Sequence, residues 1–287
     1  MDLRLRARTF TETEYVVMAI INRTPDSFYD AGRTYAIDAA LDRLDQVVDE
    51  GADIVDIGGI KAGYGDGVDV DEELRRTADF VTGARGRYPD LVISVDTWRS
   101  EVADVLCACG ADLVNDTWGG HDPGLVEVAA RHGVGLVCSH AGGLDPRTDP
   151  HRPAYDDVVA EVLEHTTGLA DRAEKGGVRR ESILIDPTHD FGKNTRHSLE
   201  LTRRLDELVA TGWPVLVALS NKDFVGETLD RPREERLPGT LAATALSAYH
   251  GARVFRAHNV AETRQCLDMV ASVLGHRPPA VGRRGLA

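Results

Sequence analysis

The stretch Glu50-Gly51-Ala52-Asp53-Ile54-Val55-Asp56-Ile57-Gly58-Gly59, EGADIVDIGG, decides the fold. A helix-like segment stops at a glycine, and a continuous apolar run begins almost at once. Glycine just past a helix end supplies the left-handed conformation that terminates the helix. An apolar run without polar alternation suits a strand covered on both faces, as in a parallel sheet. The same phrase recurs in CGADLVNDTWGG (109–120), HGVGLVCSH (132–140), TGWPVLVALS (211–220) and HGARVFRAH (250–258).

YVVMAII (15–21), LVISVDT (91–97) and ILIDP (183–187) bring the candidate strands to eight. Segments with helical spacing lie between them, such as Ile37, Ala40, Leu41, Leu44 and Val48, or Leu74, Ala78 and Val81. Asp122-Pro123 marks one helix start, and Asn259 with Glu262 spells a capping box at another. Eight alternating units in 287 residues favour a closed (β/α)8 TIM barrel, an α/β fold, over a doubly wound sheet. No proline- or serine-rich linker divides the chain, so residues 1–287 read as a single domain. The longest stretches without regular pattern are 22–35, 59–70, 141–154 and 223–238, and each follows a strand.

A net charge of −14 disfavours nucleic acid or an anionic membrane surface as partner. A small anion can still bind where local cations, helix N-termini or a divalent ion outweigh that field. No apolar run approaches the roughly 20 residues of a membrane span, and the opening residues lack a secretory pattern. A cytoplasmic location is the expectation. Cys107, Cys109, Cys138 and Cys266 match neither a zinc spacing nor a disulfide framework, which predicts buried, reduced thiols.

In such a barrel the site lies at the carboxyl ends of the strands. Those ends read Asn22, Asp56, Asp96, Asn115 with Asp116, His140, Asp186, Lys222, and Arg256 with His258. Any single Asp or Asn there is more often a turn or cap residue, and Asp122 and Asn259 belong to that class. Turn chemistry does not select Lys222, Arg256 or His258, so the set points to a ligand site. The first strand ends in Ile-Asn and not in an H-x-H, so His140, His189 and His258 argue poorly for zinc. The oxygen of Asn22 suits a hard cation such as Mg²⁺ better.

MAIINRTPDSFYDAG (18–32), DIVDIGG (53–59), ISVDTW (93–98), LVNDTWGG (113–120), ILIDPTHDFGK (183–193), SNKDFVG (220–226) and FRAHNV (255–260) resemble, in order, the sequence blocks of dihydropteroate synthase. The resemblance spans nearly the whole chain. It implies a (β/α)8 barrel, usually a homodimer, that joins a dihydropterin methyl diphosphate to para-aminobenzoate and releases diphosphate on the folate pathway. By resemblance, Asp96, Asn115, Asp186 and Lys222 hold the pterin ring. Asn22, Arg256 and His258 serve the diphosphate, with Asn22 on Mg²⁺, and Lys222, Arg256 and His258 act around the reacting bond. Carboxylates suit the N–H groups of a pteridine edge, and cations offset charge building on the leaving group.

The departures lie on the acceptor side. The family's Ser-Thr-Arg-Pro-Gly loop is replaced by IKAGYGDG (60–67), where Lys61 and Tyr64 are no obvious substitutes for a Thr-Arg pair. Ser-Arg-Lys-Ser becomes Ser220-Asn221-Lys222-Asp223. By resemblance that block meets the aminobenzoate carboxylate, so Asp223 would set a carboxylate against a carboxylate. Two such charges about 4 Å apart repel by roughly 1 kcal/mol in water and about 4 kcal/mol at an intermediate dielectric. Asn221 removes a cation that would compensate. Thr188, His189 and Asp190 replace a glycine-rich DPGFGFGK, while Phe191 remains to flank the aminobenzoate ring.

The pterin half thus reads as intact and the acceptor half as dismantled. The reading is a dihydropteroate synthase homologue with the pterin diphosphate and Mg²⁺ site retained, para-aminobenzoate doubtful as a ligand, and synthesis weak or absent. Its alternatives are an active synthase with altered loops, a folate-binding barrel serving methyl transfer to corrinoid partners, and a non-catalytic dimeric scaffold.

Overall fold

Gly51, Gly110, Gly133, Gly212 and Gly251, the glycines of the five recurring phrases, all take positive φ, from 66° to 115°. After Gly133, for example, the helix ending at His132 turns straight into a strand that begins at Gly135. The computed structural model of the chain describes residues 1–24, 36–61, 67–143, 145–148 and 152–285.

A hairpin of β1 (Leu3–Leu5) and β2 (Arg8–Phe10) precedes β3 (Val16–Asn22) and α1 (Ile37–Asp49). There follow β4 (Ile54–Gly58), α2 (Val70–Arg87), β5 (Val92–Asp96), α3 (Ser100–Ala108), β6 (Leu113–Asp116) and α4 (Gly124–His132). Next come β7 (Gly135–Ser139), α5 (Val158–Lys175), β8 (Ile183–Asp186), α6 (Thr195–Arg203), α7 (Leu205–Val209) and β9 (Leu216–Val217). The chain ends with α8 (Asp223–Leu229), α9 (Leu237–Tyr249), β10 (Val254–Ala257) and α10 (Val260–Val273).

The strands β3 to β10 form one parallel sheet in the order β8-β7-β6-β5-β4-β3-β10-β9. It closes between its ends through an Ile185–Val215 bridge, with Ile185 N–H donating to the Pro214 carbonyl at 3.0 Å. This is the expected TIM barrel. β9 is far shorter than the apolar run 211–220 suggested. Pro214 has no N–H to give its neighbour, which thins the ladder at this seam.

Side chains alternate in and out along each strand. Inward-facing Val16, Met18, Ile54, Val92, Leu113, Val137, Leu184, Leu216 and Val254 form one buried cluster inside the barrel. Leu3, Leu5 and Phe10 of the hairpin plug its amino-terminal end. The sequence showed no strand in this opening segment, whose large apolar residues Leu3, Leu5 and Phe10 are too few for a pattern. The outward residues pack with the helices in a second, larger core. Two residues further along several strands, the same inward face turns polar: Ile54 leads to Asp56, Val92 to Ser94, Leu184 to Asp186 and Val254 to Arg256. That switch is what places a polar site at the carboxyl end.

Several local expectations are corrected. The stretch 223–238 is not irregular, since it holds α8 and a short 3-10 turn over 233–235. Asn259 makes no side-chain cap on α10 and instead accepts from Asn221 Nδ2 at 3.0 Å, so the capping box does not form. Asp122 does cap, and twice: it accepts from Gly124 N–H at 2.9 Å and from Ser100 N–H at the start of α3 at 2.7 Å. All four cysteines are free, but only Cys107 and Cys138 are buried, while Cys109 and Cys266 are half-buried. Among the described residues no helix is long and apolar enough to cross a membrane.

Candidate functional site

The floor of the site is built around Asp56, whose side chain is fully buried on β4. Its carboxylate accepts from Ser94 Oγ at 2.6 Å, Asn115 Nδ2 at 3.1 Å and Arg256 Nε at 2.6 Å. Three donors from β5, β6 and β10 satisfy a charge that would otherwise be costly to bury. Arg256 Nη2 also donates to Asp96 Oδ2 at 2.8 Å, and Thr117 Oγ1 donates to Asp96 Oδ1 at 2.8 Å. Burial pushes the Asp96 carboxyl up to about 7, against the pull of the Arg256 guanidinium. Burial also raises Asp186, which the Lys222 charge partly offsets, and lowers Lys222, which the charges of Asp190 and then Asp186 partly offset.

Above this floor opens a cavity of about 270 Å³. Asn22, Lys61, Asp96, Asn115, Asp186, Phe191, Lys222, Asp223, Arg256 and His258 all line it, so the structure brings together ten of the residues singled out in the sequence. Asn221 does not line it, and neither do the strand-end residues Asp56, Asp116 and His140. Asn221 is buried at φ 55°, with its side chain turned to Asn259. The expectation that Asn221 belongs to the acceptor wall is therefore corrected. Tyr64 and the block Pro25–Phe28 lie outside the described residues.

The altered loop after β8 is an ordered part of this wall. Thr188 and Asp190 stand at φ 53° and 70°, the left-handed region that favours the glycines of the resembling pattern. Polar contacts hold them there. Thr188 Oγ1 donates to the Asp186 carbonyl at 3.0 Å and accepts from His140 N–H at 3.2 Å. Asp190 Oδ2 accepts from the backbone N–H groups of Asp223 at 2.7 Å and Phe224 at 3.2 Å. His189 is fully buried, stacks on Phe224 with ring centroids 5.6 Å apart, and stays neutral because burial drives its pKa well below the usual value. Lys222 Nζ donates to the His189 carbonyl and lies 4.8 Å from the centre of the Phe191 ring. Trp118 meets the same ring edge-on at 5.5 Å.

Three residues of consequence were not assigned a role from the sequence. Asp56 was visible as a polar strand end, but only the structure shows that it organises the floor. Asp190 looked like erosion of a glycine and proves to tie two loops together. Arg236, far from any motif, donates from Nη1 to Asp223 Oδ1 at 2.7 Å. The counter-charge thought missing at position 221 is supplied by that arginine.

Known proteins place the chain in a family. The family described as "Pterin binding enzyme" matches residues 18–258. The chain belongs to that family. Within it, the chain is 56% identical over 291 residues to "Inactive dihydropteroate synthase 2" of Mycobacterium leprae, covering 100% of both. It is 37% identical to dihydropteroate synthase of Escherichia coli K12, over 90% of this chain and 91% of that one. The solved Yersinia pestis dihydropteroate synthase with a sulfonamide drug superposes with a TM-score of 0.90 at 32% identity, covering 96% of this chain and 100% of that one. The chain is thus a divergent dihydropteroate synthase-like barrel.

Proposed function

We propose that this protein binds a dihydropterin methyl diphosphate and carries out little or no dihydropteroate synthesis. The observation that carries the reading is the contrast within one cavity. Asp96, Asn115, Asp186 and Lys222 line its floor, whereas Thr188, His189 and Asp190 fill a loop that the family's pattern keeps glycine-rich. A relative 56% identical over its full length bears the name of an inactive synthase, which supports the same reading.

In this proposal the carboxylates of Asp96 and Asp186 accept pterin N–H groups and Asn115 and Lys222 answer its acceptor atoms, while Phe191 stands on the acceptor side. His258 and Arg256 face the diphosphate. Asn22 would hold Mg²⁺: its Oδ1 lies across Gly58, where an added Cβ would meet it at 3.3 Å. Among the described residues no group of three or more His, Cys, Asp or Glu is arranged around a metal ion. A single amide oxygen fits an ion that keeps waters and takes its other ligands from phosphate. Bound there, Mg²⁺ would neutralise charge on the diphosphate.

The active-synthase alternative has one observation in its favour, the neutralisation of Asp223 by Arg236. The two readings part on a pair of measurements. Dihydropterin methyl diphosphate is titrated with and without Mg²⁺, and dihydropteroate formation is assayed with para-aminobenzoate. Binding without turnover is the expected result, and turnover at ordinary enzyme rates of about 1 per second or more would refute it.

A homodimer is part of the proposal. Leu246 and Tyr249 on α9 and Met269 and Val273 on α10 are 56%, 67%, 65% and 71% exposed, an apolar surface on the last two helices. Tyr249→Arg with Met269→Glu is expected to yield monomers in light scattering. Four free cysteines fit a reducing, cytoplasmic setting.

A further inference from the structure

We infer that Asp190 sets the acceptor specificity of this cavity, making its outer part a site for an uncharged or cationic amine and excluding one that carries its own carboxylate. The inference rests on the reading that the inner part binds a pterin diphosphate. Asp190 and Asp223 both line the cavity, so its outer wall presents two carboxylates.

They are not equivalent. The side chain of Asp223 is 71% exposed and paired with Arg236, so solvent and a counter-charge screen it. Asp190 is half-buried and held in place. Besides the two amides that meet its Oδ2, its Oδ1 accepts from Ser198 Oγ at 3.2 Å, and its own N–H donates to that oxygen at 3.1 Å. A carboxylate fixed by three such bonds, on a backbone tied by the fourth, cannot swing clear of an incoming anion. It also engages the Asp223 and Phe224 N–H groups, which would otherwise be donors at the cavity wall.

Two of the cavity's cations are already engaged, and the carboxylate that acts most strongly on Lys222 is Asp190 itself. Lys222 is turned onto the His189 carbonyl, and Arg256 is held by Asp56 and Asp96. Lys61 follows β4, four strands around the barrel from the β8 loop that carries Asp190. An amine or ammonium, by contrast, finds acceptor oxygens on Asp190 and Asp223 and the face of Phe191 beside them.

A merely structural brace at residue 190 would change stability and leave ligand preference alone, so preference is the decisive readout. Para-aminobenzoate, 4-aminobenzamide and 4-aminobenzylamine are titrated calorimetrically into the wild type, Asp190→Gly and Asp190→Asn, with and without dihydropterin methyl diphosphate and Mg²⁺. Glycine suits the φ of 70° at this position, and urea unfolding checks that each variant is folded. The wild type is expected to favour the amide and the benzylamine over para-aminobenzoate by about tenfold or more. That preference should fall by about tenfold in Asp190→Gly, and by less in Asp190→Asn, which keeps an oxygen but loses the charge. A wild type that binds none of the three, or binds para-aminobenzoate as well as the others, overturns the inference. So does an unchanged preference in Asp190→Gly. The pterin diphosphate titration without amine tests the inner half separately, and the amine titrations without pterin decide the role of Asp190 whatever that result.

Discussion

Arg236 Nη1 donates to Asp223 Oδ1 at 2.7 Å and to the buried Asn221 carbonyl at 3.0 Å, so the carboxylate that the sequence set against an aminobenzoate already has a partner. The guanidinium lies over Gly226, where an added Cβ would come within 2.3 Å of Arg236 Nε. A side chain at 226 and this pairing exclude each other. The cavity wall thus carries a carboxylate together with the cation and the bare helix face that accommodate it. Among the described residues Asp190, on the facing loop, makes no direct ion pair, and its carboxylate is held by the Asp223 and Phe224 N–H groups and by Ser198.

Arg236→Ala is expected to destabilise the protein by about 1–2 kcal/mol. The exposed ion pair contributes little of this, and the lost bond to the Asn221 carbonyl contributes most. Urea unfolding of Arg236→Ala beside Arg236→Lys reads the difference, with the lysine variant recovering part of the loss. A wild-type midpoint in the alanine variant would show that the arginine does not hold this loop.

Asp56→Ala should be the most damaging change in the site. It leaves the Arg256 guanidinium buried with only Asp96, and strips Ser94 Oγ and Asn115 Nδ2 of their acceptor. Removing one partner of a buried pair costs about 3–5 kcal/mol. Thermal unfolding should shift down accordingly, and Asp56→Asn, which keeps one acceptor oxygen, should lose less.

Thr188 offers a comparison in which glycine beats alanine. A β-branched residue at φ 53° carries a strain of about 1–2 kcal/mol. Its hydroxyl offsets part of this through the Asp186 carbonyl and the His140 N–H. Thr188→Ala loses the hydroxyl and keeps most of the strain, whereas Thr188→Gly loses both. Glycine should therefore be the more stable variant by about 1 kcal/mol in urea unfolding. Equal stabilities would show that the loop relaxes out of the left-handed region.

The barrel was legible because glycine stops and continuous apolar runs are local signals, and the eight of them fix the topology. Residues of the floor were legible because each ends a strand. Asp56 as an organiser was not, since its partners Ser94, Asn115 and Arg256 come from three other strands. Asn221 misled for a backbone reason: at φ 55° its side chain leaves the direction taken by its neighbours, and sequence position alone does not carry that. Arg236 was hidden because nothing local marks a charge pair between one helix start and another. Thr188 and Asp190 read as losses of glycine, although the chain keeps the glycine-like backbone and uses the new side chains to hold it.

In the proposed pterin site, Asp96 would make recognition dependent on pH. Burial holds its carboxyl at about 7, so the ionised form that can accept two ligand N–H groups prevails only above that value. Affinity for the pterin diphosphate is expected to fall by about tenfold per unit as the pH drops below 7. Asp96→Asn should bind more weakly at pH 8 and lose this dependence. The same shift acts on the free protein with a defined sign. With the folded value raised above that of the unfolded chain, the native state keeps a proton that the unfolded chain has released. The contribution of Asp96 to stability is therefore present below about pH 4 and is lost as the pH rises to about 7. Calorimetric titrations at pH 6, 7 and 8, on the wild type and Asp96→Asn in one buffer series, measure the binding effect. A wild-type affinity flat across that range would mean that Arg256 keeps Asp96 ionised throughout.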